Sequence, residues 1–157
     1  MNKKFFYKLI VFWVINFAAL AIGSVFTRSG VASEWYANLM KAPWEPPGWV
    51  FGAAWTTIMV CFGVYMAYLW TLNANRKILL GIFAIQWILN VGWNPVFFFF
   101  HHIFAGFIVI TVLTIVVALF LVKYWNIMKL KSGFILPYLI WLLIATSLNG
   151  YILFYNQ

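Results

Sequence analysis

Acidic side chains are almost missing from this chain: Glu34 and Glu45 are the only two in 157 residues. Proton relays inside a membrane are built from Asp, Glu or His chains. No acid or base falls at the centre of an apolar run here, which argues against a proton-coupled pump or a carboxylate-lined ion path. Thiols are equally scarce. One cysteine, Cys61, rules out an internal disulfide and a thiolate cluster. It lies in an apolar run and reads as a small core residue. The two histidines, His101 and His102, are adjacent and lack further ligands nearby. They read as an exposed connector rather than a metal site, although one histidine can suffice as an axial haem ligand. No Gly-rich phosphate cradle, zinc motif or nucleophile elbow is present.

Apolar residues fill the space the charges leave. The chain is 66% hydrophobic and 8% charged, against about 45–50% and about 25% in soluble domains. A fold of this length cannot bury that much apolar surface, so lipid must be its solvent. The formal charge of +8 does not indicate nucleic acid. The basic residues form short clusters between apolar runs, as topology signals do.

A spanning helix takes about 20 mostly apolar residues. Five segments qualify: 5–27, 49–72, 78–100, 103–125 and 132–155. The expected architecture is an all-α membrane protein, a single domain over 1–157, with a five-transmembrane-helix bundle and a long structured loop between helices 1 and 2. Lys3, Lys4 and Lys8 ahead of an apolar stretch also resemble a secretory signal. The run over 9–26 outlasts the about 7–15 residues of a signal core, so a retained helix is expected. Lys3, Lys4, Lys8, Arg76, Lys77, Lys123, Lys129 and Lys131 share one side, whereas Arg28 and Lys41 lie on the other. The positive-inside rule then puts the N-terminus in the cytoplasm and the C-terminus outside.

Residues 28–48 are the one long connection. They hold Trp35, Trp44, both glutamates and the prolines Pro43, Pro46 and Pro47. Each proline fixes φ near −65° and stiffens the segment. So aromatic a loop is expected to fold down over the mouth of the bundle as a lid. In this reading Trp35 and Trp44 pack the lid, Trp49 anchors at the interface and Tyr36 reaches inward.

Polar groups at membrane depth are costly and therefore informative. Gln86, Asn90 and Asn94 fall at i, i+4 and i+8, one face of helix 3. They serve either hydrogen bonds between helices or, at Asn90, a ligand. Trp93 shares that face, and Pro95 should kink the helix. Trp141, Ala145 and Asn149 line one face of helix 5, bordered by Leu148. The small residue between large ones leaves a notch for close helix packing or for a ligand. Helix 2 repeats Phe51, Trp55, Met59 and Phe62 at helical spacing. Trp55, Trp93 and Trp141 lie deeper than an interfacial belt, and a deep indole seeks a partner for its N–H. Gly63, Gly81 and Gly106 permit close helix contact. The loose sterol-contact pattern at Val122, Tyr124 and Lys129 is treated as chance.

Three blocks together resemble the tryptophan-rich sensory protein family, also known as translocator proteins or peripheral-type benzodiazepine receptors (TspO/MBR). The first is Trp35-Tyr36, Leu39, Lys41, Trp44, Pro46-Pro47, Trp49-Val50-Phe51 and Trp55-Thr56. The second is Gln86, Leu89-Asn90, Trp93, Pro95 and Phe97-Phe98. The third is Pro137-Tyr138-Leu139, Trp141, Ala145-Thr146, Leu148-Asn149 and Asn156. The chain departs from the family at Lys41-Ala42, where Lys-Pro is usual, with the proline at Pro43 instead. It departs again at Gly52-Ala53-Ala54, which lacks a proline, and at Met59, where Tyr is common.

The resemblance implies a five-helix bundle in lipid, usually a homodimer, and the charge bias fits a bacterial cell membrane. It implies an internal pocket under the loop that takes flat apolar ligands: porphyrins and haem, sterols, or isoquinoline and benzodiazepine compounds. No cofactor is required; a porphyrin or haem would be a ligand, and no metal or nucleic acid is expected. The ligand-binding set is Tyr36, Trp44, Pro47, Phe51, Trp55, Asn90, Trp93, Trp141, Ala145, Leu148 and Asn149. Three functions fit: a porphyrin-binding receptor or sensor, a light-dependent porphyrin-degrading enzyme with Trp55 and Trp141 as catalytic residues, and a porphyrin or lipid transporter. The last is weakened by the lack of paired discontinuous helices.

Overall fold

A computed structural model of the chain describes residues 3–72 and 75–156. The described residues are almost all helical. The order is α1 (Lys3–Val31), α2 (Glu34–Ala37), α3 (Gly48–Leu72), α4 (Arg76–Asn94), a π-helical segment (Pro95–Phe99), α5 (Ile103–Met128), a 3₁₀ segment (Lys129–Ile135) and α6 (Leu136–Tyr155). Helices are what a lipid solvent demands, because each closes its own backbone hydrogen bonds. Four apolar helical stretches are long enough to cross a membrane: Lys3–Val31, Gly48–Leu72, Arg76–Phe99 and Ile103–Tyr155. The last, at 53 residues, is broken by the 3₁₀ segment, and its halves α5 and α6 pack against each other. The expected boundary at 132 is corrected there: residues 132–135 belong to the 3₁₀ turn and the α-helix begins at Leu136.

Pro95 does not simply kink α4. It has no N–H to give the Val91 carbonyl, and the Asn94 amide fills in, donating to the carbonyls of Asn90 (3.1 Å) and Val91 (3.4 Å). The helix then widens, with Phe100 N–H donating to Pro95 O at 2.9 Å. Such relief of a freed backbone group is how a membrane helix tolerates proline. The wider turn sends two consecutive side chains, Phe97 and Phe98, into the interior.

The core is aromatic and centres on Phe62, which is 1% exposed. Its ring stacks with Phe83 and Tyr65 and meets Phe120 and Tyr138 edge-on. Gly63 and Gly106 are occupied within the chain. A Cβ at Gly63 would strike the Trp13 indole, and one at Gly106 the Phe97 ring. Trp13 lies in that groove and donates Nε1–H to the Val60 carbonyl at 3.0 Å. Gly81 faces open space.

The bundle has two unlike ends. At one, Lys8 donates to Thr71 Oγ1 (3.2 Å), Arg76 lies over Trp70 and Lys131 over Tyr68. At the other, Trp35 stacks on His101 and Met40 pairs with Asn156. Eight cationic side chains thus gather at the first end. The second holds Arg28 and Lys41 against Glu34 and Glu45 and is formally neutral.

Candidate functional site

The lid is built by local hydrogen bonding. Ser33 caps α2: its Oγ accepts from Tyr36 N–H (3.2 Å) and donates to Gly30 O (2.6 Å). That sets Tyr36 facing the bundle. Further on, Glu45 N–H donates to Ala42 O at 3.0 Å, closing a turn with Pro43 at its second position, where proline's fixed φ is favoured. The Ala42-Pro43 departure from the family pattern is therefore the corner of this turn. It brings Glu45 back to Tyr36, whose phenol donates to Glu45 Oε1 at 2.8 Å. Lys41 Nζ lies 4.0 Å above the Tyr36 ring. Burial, then the bond to the Glu45 carboxylate and its charge, raise the Tyr36 phenol well above its ordinary range.

Beneath the lid is a cavity of about 590 Å³, within the usual span of about 300–1,000 Å³ for small-molecule sites. Phe51, Trp55 and Met59 line it from α3. Asn90, Trp93 and Asn94 do so from α4, and Trp141, Ala145, Leu148 and Asn149 from α6. Tyr36, Lys41, Glu45 and Pro46 roof it. Phe51 meets Trp141 edge-on at 5.2 Å, and Trp55 meets Tyr138 at 6.1 Å. Nine residues of the expected ligand-binding set thus surround one space. Trp44 and Pro47 do not. The Trp44 ring is 53% exposed and turns outward to α6, donating to Ser147 Oγ at 3.2 Å and meeting Tyr151 edge-on. Pro47 is exposed at the entry to α3, its carbonyl accepting from Val50 N–H; Pro46 lines the cavity in its place.

The deep polar groups divide sharply. Gln86 Nε2 donates to Tyr138 Oη at 2.7 Å, a contact between helices. Asn94 Oδ1 accepts from Thr27 Oγ1 at 2.6 Å, and Asn149 Oδ1 accepts from Trp93 Nε1 at 3.3 Å. Other polar groups are left over, the buried Gln86 Oε1 among them. Trp141 Nε1–H is fully buried without a partner among the described residues. The Asn90 side chain, 7% exposed, has no hydrogen bond there either. A buried unpaired polar group costs about 1–3 kcal/mol. Trp141 and Asn90 both line the cavity, where the Asn90 amide can meet a polar group of an occupant.

The α1 wall was not foreseen. Ala19, Leu20, Gly23 and Thr27 close that side; the small and hydroxyl residues Gly23, Ser24 and Thr27 in an otherwise bulky span were the available signal. Of the lining residues, Ser24, Val31, Gly48, Gly52 and Thr56 are exposed, so the wall is thin between the lid ends of α1 and α3. Roof residues Lys41 and Glu45 were also missed as cavity lining, because their placement depends on the turn at Pro43.

Residues 11–155 match the model of the TspO/MBR family. The chain is 36% identical over 137 residues to the tryptophan-rich protein TspO of Chlorobaculum tepidum, covering 85% of this chain and 86% of that protein. It is 37% identical over 136 residues to the protein of the same name from Archaeoglobus fulgidus, covering 84% and 88%. It is 30% identical over 132 residues to the human translocator protein, covering 82% and 78%. With a match over nearly its whole length, and with apolar helices long enough for a bilayer, the chain is an integral membrane protein of the TspO/MBR family.

Proposed function

We propose that this protein is a membrane receptor or sensor that holds a flat apolar ligand, a porphyrin above all, in the cavity beneath the lid. The observation that carries the reading is a largely apolar, indole-lined cavity with the Asn90 amide on its wall, without a hydrogen-bond partner among the described residues. Flat macrocycles offer π-faces to Phe51, Trp55 and Trp93, and their ring nitrogens or carboxyl groups offer partners to the Asn90 amide. Sterol-like or benzodiazepine-type compounds share the flat apolar shape. In this reading the 53-residue stretch crosses twice, giving five spans, with the cationic end in the cytoplasm and the lid outside. A homodimer belongs to the same reading, and would meet elsewhere than at the filled grooves of Gly63 and Gly106. The test is titration of protoporphyrin IX against tryptophan fluorescence in detergent. Saturable quenching at micromolar ligand is expected; its absence would sink the proposal.

A second reading is light-driven porphyrin degradation. It is favoured by the aromatic lining, since indoles are the redox-capable groups the site holds in quantity. Trp55→Phe and Trp141→Phe should then each slow the illuminated loss of porphyrin absorbance. Equal rates in wild type and both variants would remove this reading and leave the receptor standing. Transport of porphyrin or lipid is the remaining possibility, tested by counterflow in proteoliposomes.

A further inference from the structure

Glu45 is one of two acids in the chain and the only one on the cavity. Its Oε1 accepts the phenolic proton of Tyr36 at 2.8 Å, and both residues roof the ligand space. None of the cavity indoles has such a base. Trp93 donates to an amide oxygen, and Trp141 has no hydrogen-bond partner among the described residues.

We propose that Tyr36 and Glu45 form a proton-coupled redox pair: Tyr36 gives one electron to a light-excited aromatic macrocycle in the cavity while its phenolic proton passes to Glu45. This rests on the reading that the cavity holds a light-absorbing ligand. The step balances. The macrocycle gains an electron and becomes a radical anion. The Tyr36 O–H bond breaks, an H–Oε1 bond forms on Glu45, and a neutral tyrosyl radical remains. The single negative charge, first on Glu45, ends on the macrocycle. Recombination in the dark reverses each change.

Three features support the pair. The Lys41 ammonium, 4.0 Å above the ring, opposes any positive charge left on it, so the electron leaves readily only when the proton leaves too. Burial and the Glu45 carboxylate keep the phenol protonated through neutral pH, so there is a proton to transfer. The geometry is also held: Ser33 fixes α2 behind Tyr36, and the Ala42–Glu45 turn fixes the carboxylate.

The experiment illuminates detergent-solubilised protein saturated with protoporphyrin IX at low temperature and reads the radicals by electron paramagnetic resonance. Binding is first measured in the dark, and each sample is brought to equal occupancy. A neutral tyrosyl signal is expected in the wild type and not in Tyr36→Phe. Glu45→Gln keeps a hydrogen-bond acceptor but is no base, and should lower the yield by about 100-fold, the scale on which a positioned base acts. Formation should also slow in deuterium oxide. Bound porphyrin with no tyrosyl signal, or an undiminished signal in Glu45→Gln or Tyr36→Phe, would overturn the pair while the receptor stands. Failure of porphyrin to bind in the dark would overturn both.

Discussion

Asn156 grips the backbone of Met40 with both ends of its amide. Met40 N–H donates to Asn156 Oδ1 at 2.8 Å, and Asn156 Nδ2 donates to Met40 O at 3.0 Å. One side chain thus does for the lid what a neighbouring β-strand would do. Asn156 is itself held, Nδ2 also donating to Ile152 O at 2.8 Å. Asn156→Leu removes both contacts at the cost of about 1–3 kcal/mol of lid closure. Faster dissociation of protoporphyrin IX is expected, read as recovery of tryptophan fluorescence after dilution. Unchanged dissociation would show that this clamp does not hold the lid.

Trp141→Phe trades one cost for another. It empties part of the site, yet it removes a buried N–H that lacks a partner. These effects offset, so the thermal stability of ligand-free protein should shift by no more than about 1 kcal/mol. Affinity for protoporphyrin IX should fall by about tenfold. A large loss of stability with unchanged affinity would mark Trp141 as packing only.

Gly63 leaves the groove in which the Trp13 indole lies. Gly63→Leu overpacks that crossing and should cost about 1–3 kcal/mol, read as a lower unfolding temperature in detergent. Gly81→Ala, whose added Cβ would have nothing within 4 Å, serves as the control and should change little. Equal destabilisation of both variants would contradict the α1–α3 packing described here.

Tyr36 gives a pH dependence with a definite sign. Its phenol is raised in the folded protein, so the folded state binds the proton more tightly than the unfolded chain does. The stabilisation is complete below the ordinary phenol value of about 10 and is lost as pH rises beyond it toward the folded value. The lid should therefore be insensitive to pH around neutrality and loosen only in strong alkali. Phenolate absorbance, wild type minus Tyr36→Phe, should show one group ionising above about 10. A difference curve centred at the ordinary value would rule out the Tyr36–Glu45 contact.

Much of this was open to a reader of residues alone. Spans are written in lengths of apolar run, and the aromatic faces of α3, α4 and α6 follow from spacing, so Phe51, Trp55, Asn90 and Trp141 could be gathered before any coordinate. Pro95 was legible as a disturbance but not as a widening, because the outcome depends on the Asn94 amide reaching the abandoned Val91 carbonyl. The orientation of Trp44 was hidden for another reason. An indole in a lid can face inward or outward, and Ser147 and Tyr151, more than a hundred positions later, decide it. The α1 wall of the cavity offered only the small and hydroxyl residues Gly23, Ser24 and Thr27 as a signal, a weak one unless something is known to lie beside them.

The unequal ends of the bundle bear on how the protein sits in an energised membrane. Their side chains differ by eight formal charges. Inverting the chain across a potential of about 100 mV would move that difference at about 2.3 kcal/mol per charge, on the order of 18 kcal/mol in all. Loss of any one lysine changes this by an eighth. The handedness of insertion is thus shared among many weak votes, leaving the two lid cations and their two glutamates free to be set by the site rather than by topology.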